Sequence, residues 1–243
     1  MLKKVEGIVI RETNYGETSK IINILTKDGI IGCIAKGAKS IKSPLRSYTS
    51  SLTYACFNIY YHEDKLSTIK SVDVIDELSN IKKDILLIGY MNYLCELASQ
   101  TMKQNQNEDI YNLLISALNK INLGFNPIII TNIFELKLLD YLGVGINFNS
   151  CAKCGNKSNI VTIDGDAGGY ICENCYTDEV IYDDKTLKML RMYYLVDINS
   201  ISDLKISDVV VNNINYFINT YYDRYTGLYL KSKKFLDDLI KTI

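Results

Sequence analysis

The chain has 243 residues, of which 47% are hydrophobic and 23% are charged, and its formal net charge is −1. This size suits a globular protein of two modest domains, and neither a membrane-spanning apolar run nor a signal peptide is recognisable, so we expect a cytoplasmic protein without membrane contact. A single histidine leaves serine-hydrolase and histidine-metal chemistry almost nothing to use.

Charge is unevenly distributed along the sequence. Residues 1–70 contain 11 Lys+Arg and 6 Asp+Glu, which gives this third a net charge of +5 and the remainder a net charge of −6. A basic N-terminal third favours a surface that binds polyanions. Ordinary scatter of surface charge also gives differences of this size, so the asymmetry alone does not decide the matter.

Five short strands are predicted within the first 75 residues, because apolar and β-branched residues alternate there between turn sequences. They are Val5–Ile10, Lys20–Thr26, Ile30–Ala35, Ser51–Tyr61 and Leu66–Val74. Five strands in so few residues indicate a small closed barrel, for which the oligonucleotide-binding (OB) fold is the leading candidate. An SH3-like barrel gives nearly the same pattern. The sole histidine, His62, falls in the polar turn before the fifth strand and is interpreted as an exposed turn residue.

A basic segment, residues 36–48, separates the third and fourth strands. Its four cations, Lys36, Lys39, Lys42 and Arg46, are not accompanied by any acidic residue. Such a loop can place cations along a phosphate backbone, while Tyr15 or Tyr48 offers a face for base stacking. The alternative is a solvated loop whose lysines only maintain solubility.

From residue 78 onwards, apolar residues recur at helical spacing, which predicts a second, all-α domain over residues 78–243 after a barrel domain over residues 1–77. The chain is thus an α+β protein. The predicted helices are Ile81–Met102, Asp109–Ile121, Pro127–Leu142, Asp184–Val196, Ser207–Tyr222 and Ser232–Ile243. Ser79 or Asn80 is the predicted N-cap of the first.

Two Cys-x-x-Cys pairs interrupt the helical pattern. Cys151 and Cys154 are separated from Cys172 and Cys175 by 17 residues, a spacing typical of a four-thiolate zinc site. The intervening residues predict a hairpin, so the zinc element spans about residues 147–178. Four protein ligands leave no open position, which makes the predicted Zn²⁺ structural. A disulfide or redox pair is the rival interpretation, and a reducing compartment argues against it.

Several further segments resemble the RecO family of bacterial recombination mediators over essentially the whole chain. They occur in the family's order and precede or follow the Cys-x-x-Cys-Gly motif. These segments are Glu6–Ile10, Asn14–Glu17, Leu25–Thr26, Ala35–Lys39, Ser43–Leu45, Phe134–Leu139 with Gly143, and Leu230–Leu236.

The resemblance implies a non-enzymatic, nucleoid-associated protein that binds single- and double-stranded DNA and anneals complementary strands. It further implies that RecR acts with it to load RecA onto DNA covered by single-strand-binding protein (SSB). Carried onto this sequence, the DNA contacts include the basic segment, with Lys20 and Arg11 added. The family also recognises the acidic C-terminal tail of SSB, for which the candidate cations are Lys231, Lys233 and Lys234.

Two other classes of function remain open. A zinc-ribbon transcription or RNA-binding module would use the same cysteines and the same basic barrel. A zinc-dependent deaminase would need an open metal position beside an H-x-E glutamate, and the sequence contains no such motif.

Overall fold

The computed structural model describes residues 1–242, which form two compact units. Unit 1 comprises Met1–Gly124 and the C-terminal segment that begins at Leu230, and unit 2 comprises Phe125–Tyr229. No helix within residues 1–242 is both long enough and apolar enough to span a membrane.

A closed five-stranded barrel opens unit 1. Its strands are β1 (Leu2–Tyr15), β2 (Ser19–Thr26), β3 (Gly29–Ala35), β4 (Tyr54–Tyr60) and β5 (Ser67–Asp76). They follow the order β1-β2-β3-β5-β4, and β3 pairs with β5 in parallel while the other neighbours are antiparallel. This Greek-key order is that of the OB-fold, which confirms the predicted barrel and decides against the SH3-like alternative.

Strand β1 closes the barrel because it pairs with two neighbours in succession. Its first half, Leu2–Ile8, pairs with β4, and from Ile8 onwards it pairs with β2. Gly7 lies at this change of partner, where a Cβ atom would be 2.5 Å from the Leu25 carbonyl oxygen. The observed strand is longer than predicted because its polar half, Arg11–Tyr15, alternates toward solvent and still forms the ladder with β2.

Residues 1–242 contain eight α-helices. They are α1 (Leu45–Tyr48), α2 (Ser79–Lys82), α3 (Ile85–Gln104), α4 (Glu108–Asn122), α5 (Pro127–Tyr141), α6 (Asp184–Leu195), α7 (Asp208–Tyr225) and α8 (Lys231–Thr242). Helices α1–α4 and α8 belong to unit 1, and α5–α7 belong to unit 2.

The predicted N-cap of the first long helix was wrong. Leu78 adopts a left-handed conformation with φ of 48°, so the residues after it form the separate short helix α2. Helix α3 is capped by Asp84, whose carboxylate accepts hydrogen bonds from the amides of Leu86 (2.8 Å) and Leu87 (3.3 Å). An acidic cap satisfies amides that have no partner within the helix.

Helix α8 packs against α3 inside unit 1. The Glu96 carboxylate accepts a hydrogen bond from the Ser232 amide (2.7 Å) and another from the Ser232 hydroxyl. The Lys233 ammonium lies 4.7 Å from the Tyr93 ring centroid, and Leu236 is buried. The C-terminal helix therefore belongs to the same compact unit as the barrel. The sequence pattern instead predicts a separate domain of residues 78–243 that includes this helix, and that domain division stays a prediction.

Unit 2 has the buried helix α5 at its core and carries a small sheet. Asn126 caps α5, and Pro127 stands in its first turn, as predicted. The sheet consists of β6 (Asn147–Cys151), β7 (Ile160–Asp164) and β8 (Gly169–Cys172) in the order β6-β8-β7. The antiparallel pair β7–β8 confirms the predicted hairpin, while β6, which pairs with β8 in parallel, was not predicted.

We expect Gly7→Ala to destabilise unit 1 by about 1–3 kcal/mol, because the added methyl group would overlap backbone and side-chain atoms of β2. Chemical denaturation followed by circular dichroism measures this loss. The control is Thr13→Ala, which alters an exposed residue of the same strand and should change the free energy of unfolding by less than about 0.5 kcal/mol. Equal stability of the two variants would contradict the role given to Gly7.

Candidate metal centre and nucleic-acid interface

The four predicted cysteine ligands meet at one point of unit 2. The sulfur atoms of Cys151, Cys154, Cys172 and Cys175 all lie within 4.8 Å of one another, and those of Cys154 and Cys172 are 3.6 Å apart. A tetrahedral zinc ion with bonds of about 2.3 Å holds its sulfur ligands roughly 3.8 Å apart. The cluster therefore has the dimensions of a four-thiolate metal site.

Two turns aim the sulfurs inward. The Gly155 amide donates to the Cys151 carbonyl oxygen (2.8 Å), and the Tyr176 amide donates to the Cys172 carbonyl oxygen (3.0 Å). Gly155 has φ of +77°, a conformation that costs glycine little. Since Cys151 ends β6 and Cys172 ends the neighbouring β8, the sheet places the two turns side by side.

The electrostatics of the cluster favour a bound cation. Burial raises the pKa of the Cys151 thiol, but backbone N–H groups of Cys172, Cys154 and Lys153 outweigh that effect and lower this pKa to about 6. The neighbouring Cys154 sulfur, followed by burial, raises the pKa of Cys175 to about 12. Four thiols this close compete for ionisation, and a divalent cation removes the competition because coordinating thiols are deprotonated.

A lysine that the sequence analysis did not single out connects the two turns. The Lys153 ammonium donates to the Cys175 carbonyl oxygen (3.3 Å) and to the Glu179 carboxylate (2.6 Å). The Glu179 carboxylate also accepts from the Thr177 amide (2.8 Å), and these bonds, led by that of Lys153, lower its pKa to about 2. The only feature of the sequence that could have indicated Lys153 is its position between the two cysteines Cys151 and Cys154.

Metal analysis should find about one zinc ion per chain, and Cys172→Ser should abolish its binding. Because the hairpin is small, we expect this variant to lose hydrogen-exchange protection in residues 147–178 while the barrel keeps its own. Cys56→Ser, at a partly exposed cysteine of β4, is the matched control and should retain both metal and protection. A metal-free protein whose four thiols are paired as disulfides would contradict the prediction.

The predicted basic segment lies at one end of the barrel, against the turn between β1 and β2. The Lys39 amide donates to the Thr18 carbonyl oxygen (2.8 Å), and the Lys39 ammonium donates to that of Gly16 (3.1 Å). These bonds bring the segment beside Tyr15, whose side chain is exposed. The structure thus joins the predicted stacking residue to the predicted cations.

Three of the cations project freely from this segment. Lys36, Lys42 and Arg46 are exposed, and no ion pair is formed by their side chains within the described residues. Lys39 is half-buried because it bridges the segment and the turn. The arrangement offers unpaired positive charge to a polyanion.

The other predicted contacts are divided between two faces of the barrel. The Lys20 ammonium forms an ion pair with the Glu12 carboxylate at 2.5 Å, and its side chain is only 15% exposed. Arg11 is exposed on the outer face of β1. Lys20 is therefore the cation least available to DNA, and its contact with DNA stays a prediction.

Tyr48 lines a shallow groove that also contains two lysines absent from the prediction. Lys82 and Lys83 approach it from the end of α2, together with the acidic Glu77. Burial lowers the pKa of Lys82, although Glu77 and Asp76 oppose that shift. Helical periodicity does not predict this proximity, because Tyr48 and the two lysines are more than 30 residues apart in the sequence.

Comparison with known proteins matches nearly the entire chain. Residues 1–78 match the family model described as "Recombination protein O N terminal", and residues 82–234 match "Recombination protein O C terminal". The chain is similar to "DNA repair protein RecO" of Listeria monocytogenes serotype 4b (strain CLIP80459), with 34% identity over 99% of this chain and 96% of that protein. It is also similar to "DNA repair protein RecO" of Bacillus cereus (strain AH187), with 32% identity over 99% of both chains.

Proposed function

This chain belongs to the RecO family of DNA repair proteins, and from that membership we propose that it is a recombination mediator without enzymatic activity. It binds single- and double-stranded DNA without sequence preference and anneals complementary strands. Together with RecR, it helps load RecA onto DNA covered by SSB. It works in the cytoplasm, associated with the nucleoid.

The exposed basic segment on an OB-fold barrel carries this proposal. OB-folds bind oligonucleotides beside the β1–β2 loop, and the unpaired Lys36, Lys42 and Arg46 stand next to that loop. Phosphate contacts of this kind fix a strand on the surface but carry no base information. A protein that holds one strand in this way lowers the repulsion that a complementary strand meets.

Unit 2 supports the mediator by a different route. Its residues 125–229 contain 13 Asp+Glu and 8 Lys+Arg, a balance that disfavours extended contact with phosphates. Zn²⁺ in the four-cysteine site, when bound, supplies a cross-link that keeps the hairpin folded. We assign recognition of the acidic SSB tail to helical parts of the chain outside unit 2, and the candidate cations are Lys231, Lys233 and Lys234 of helix α8 in unit 1.

Replacing Lys36, Lys39, Lys42 and Arg46 together by glutamine should weaken DNA binding about equally for all sequences. The log–log salt slope on single strands should become shallower by up to about 0.7 per lost contact. Fluorescence anisotropy at several salt concentrations measures both quantities. A matched control with the same method is Lys4→Gln/Lys70→Gln, which removes two exposed cations from the β1–β4–β5 side of the barrel. An unchanged slope in the quadruple variant would move the DNA site elsewhere.

Strand annealing should proceed without ATP or Mg²⁺, because the proposal invokes no catalytic step. On SSB-coated complementary strands it should be faster with intact SSB than with SSB that lacks its acidic tail. A fluorescence annealing assay at physiological salt makes this comparison, and His62→Ala serves as a control that should not change the rate.

The two arms of the annealing assay separate two failures. Equal rates with both forms of SSB would refute tail-directed recruitment. No acceleration on naked strands would refute the mediator itself, and would favour a zinc-ribbon transcription or RNA-binding module, for which a preferred sequence or RNA structure should then be found.

A further inference from the structure

A second electropositive feature of unit 1 is a groove between the outer face of the barrel and the helices α3 and α8. The barrel contributes Arg11 and Asn23, which are cross-strand partners on β1 and β2. Helix α3 contributes Lys103, and α8 contributes Lys231 and Phe235. Three separate parts of the chain thus supply the lining of one groove.

The positive charge in this groove is not neutralised internally. Arg11, Lys103 and Lys231 are exposed and form no ion pair with any residue from 1 to 242. One acidic residue, Glu96, also lines the groove. Its carboxylate already accepts hydrogen bonds from the amide and hydroxyl of Ser232, so it is engaged in holding α8.

The groove is continuous with the basic segment along β1. Side chains alternate on a strand, so Arg11, Thr13 and Tyr15 share one face, and all three are exposed. The distance covered by these four steps is roughly 13 Å. At the far end, Lys39 holds the basic segment against Gly16. A row of exposed polar and aromatic residues therefore joins the two cationic features.

We propose that a single strand of nucleic acid runs from the basic segment along this row into the groove, where Lys103 and Lys231 bind its phosphates and Phe235 stacks on a base. The inference rests on the proposed function and extends its DNA site to helices α3 and α8. Phe235 is 48% exposed, so its ring is available to a base. Bases are free to stack on protein only when they are not paired in a duplex, so the groove selects single strands.

An acidic peptide such as the SSB tail, for which Lys231 is also a candidate cation, is the other polyanion that these cations attract. The inference gives Lys231 to nucleic acid and leaves Lys233 and Lys234 as the candidate cations for the tail. Two observations favour nucleic acid. OB-folds bind oligonucleotides on the face of strands β2 and β3, and the groove is lined by Asn23 of β2 and Ile30 of β3. The exposed row also leads directly to the basic segment. A short peptide in the groove would make no use of that row.

The test is Lys103→Gln/Lys231→Gln in the full-length protein, compared with Lys4→Gln/Lys70→Gln. On oligo-dT, the groove variant should lower the salt slope by about 1.4 and reduce affinity, whereas the control pair should leave both near the wild-type values. Affinity for a duplex of equal length should fall much less. An unchanged slope on oligo-dT would overturn the inference.

A second measurement isolates the aromatic ring. Phe235→Leu preserves an apolar side chain on α8 but removes the stacking face, and it should weaken binding of oligo-dT about tenfold. Binding of an abasic strand of the same length should not change. Equal losses on both strands would overturn the stacking role, and thermal unfolding checks that α8 remains packed.

Three outcomes distinguish a peptide site, a failure of the proposed function and a failure of the extension alone. If the groove variant keeps its affinity for oligo-dT but no longer binds a polyglutamate peptide, the groove is a peptide site and the inference is overturned. If neither the groove variant nor the quadruple variant of residues 36, 39, 42 and 46 alters DNA binding, the proposed function fails. Loss in the quadruple variant alone refutes only the extension to α3 and α8.

Discussion

The pairing of β1 with two neighbouring strands is the constraint on which unit 1 depends. Strand β1 pairs with β4 through its first half and with β2 through its second half, so it must bend sharply between the two. Gly7 lies at the bend, and its lack of a side chain permits the close approach of β2. The bend closes the barrel, so its apolar side chains face one interior and the polar half of β1 faces outward. The turn at Gly16 and the exposed row of β1 follow from the same closure.

The sheet of unit 2 is too small to be stabilised by the burial of apolar side chains alone. Strands of four or five residues gain little from their ladders, and an isolated hairpin is marginal in water. The four clustered cysteines could hold a metal ion, and a bound ion would add stability at the point where the strands end. Cys151 and Cys172 are buried, whereas Cys154 is exposed and Cys175 is half-buried, so the cysteine cluster extends from the interior of unit 2 to its surface.

The features that depend on neighbouring residues alone could be predicted from the sequence. The barrel strands, most helices and the cysteine cluster follow from alternation, helical period and ligand spacing, and all of them are present in the structure. Side-chain partners distant in the sequence were not predictable in this way. Glu12 of β1 forms an ion pair with Lys20 of β2. The Glu96 carboxylate accepts a hydrogen bond from the Ser232 amide, which lies 136 residues further along the chain. Composition cannot distinguish a free lysine from one already paired, because both have the same local sequence.

The return of α8 to the first unit has a consequence for biosynthesis. Proteins emerge from the ribosome at about 5–20 residues per second, N-terminus first. The surface of α3 that packs against α8 is therefore synthesised well before α8 itself, because the whole of Phe125–Tyr229 is translated in between. During that interval the apolar surface around Gly89, which α8 later covers with Leu236 and Leu239, is open to solvent and to other chains. The nascent chain thus carries an uncovered apolar surface until α8 emerges, and transiently exposed surfaces of this kind are prone to aggregation.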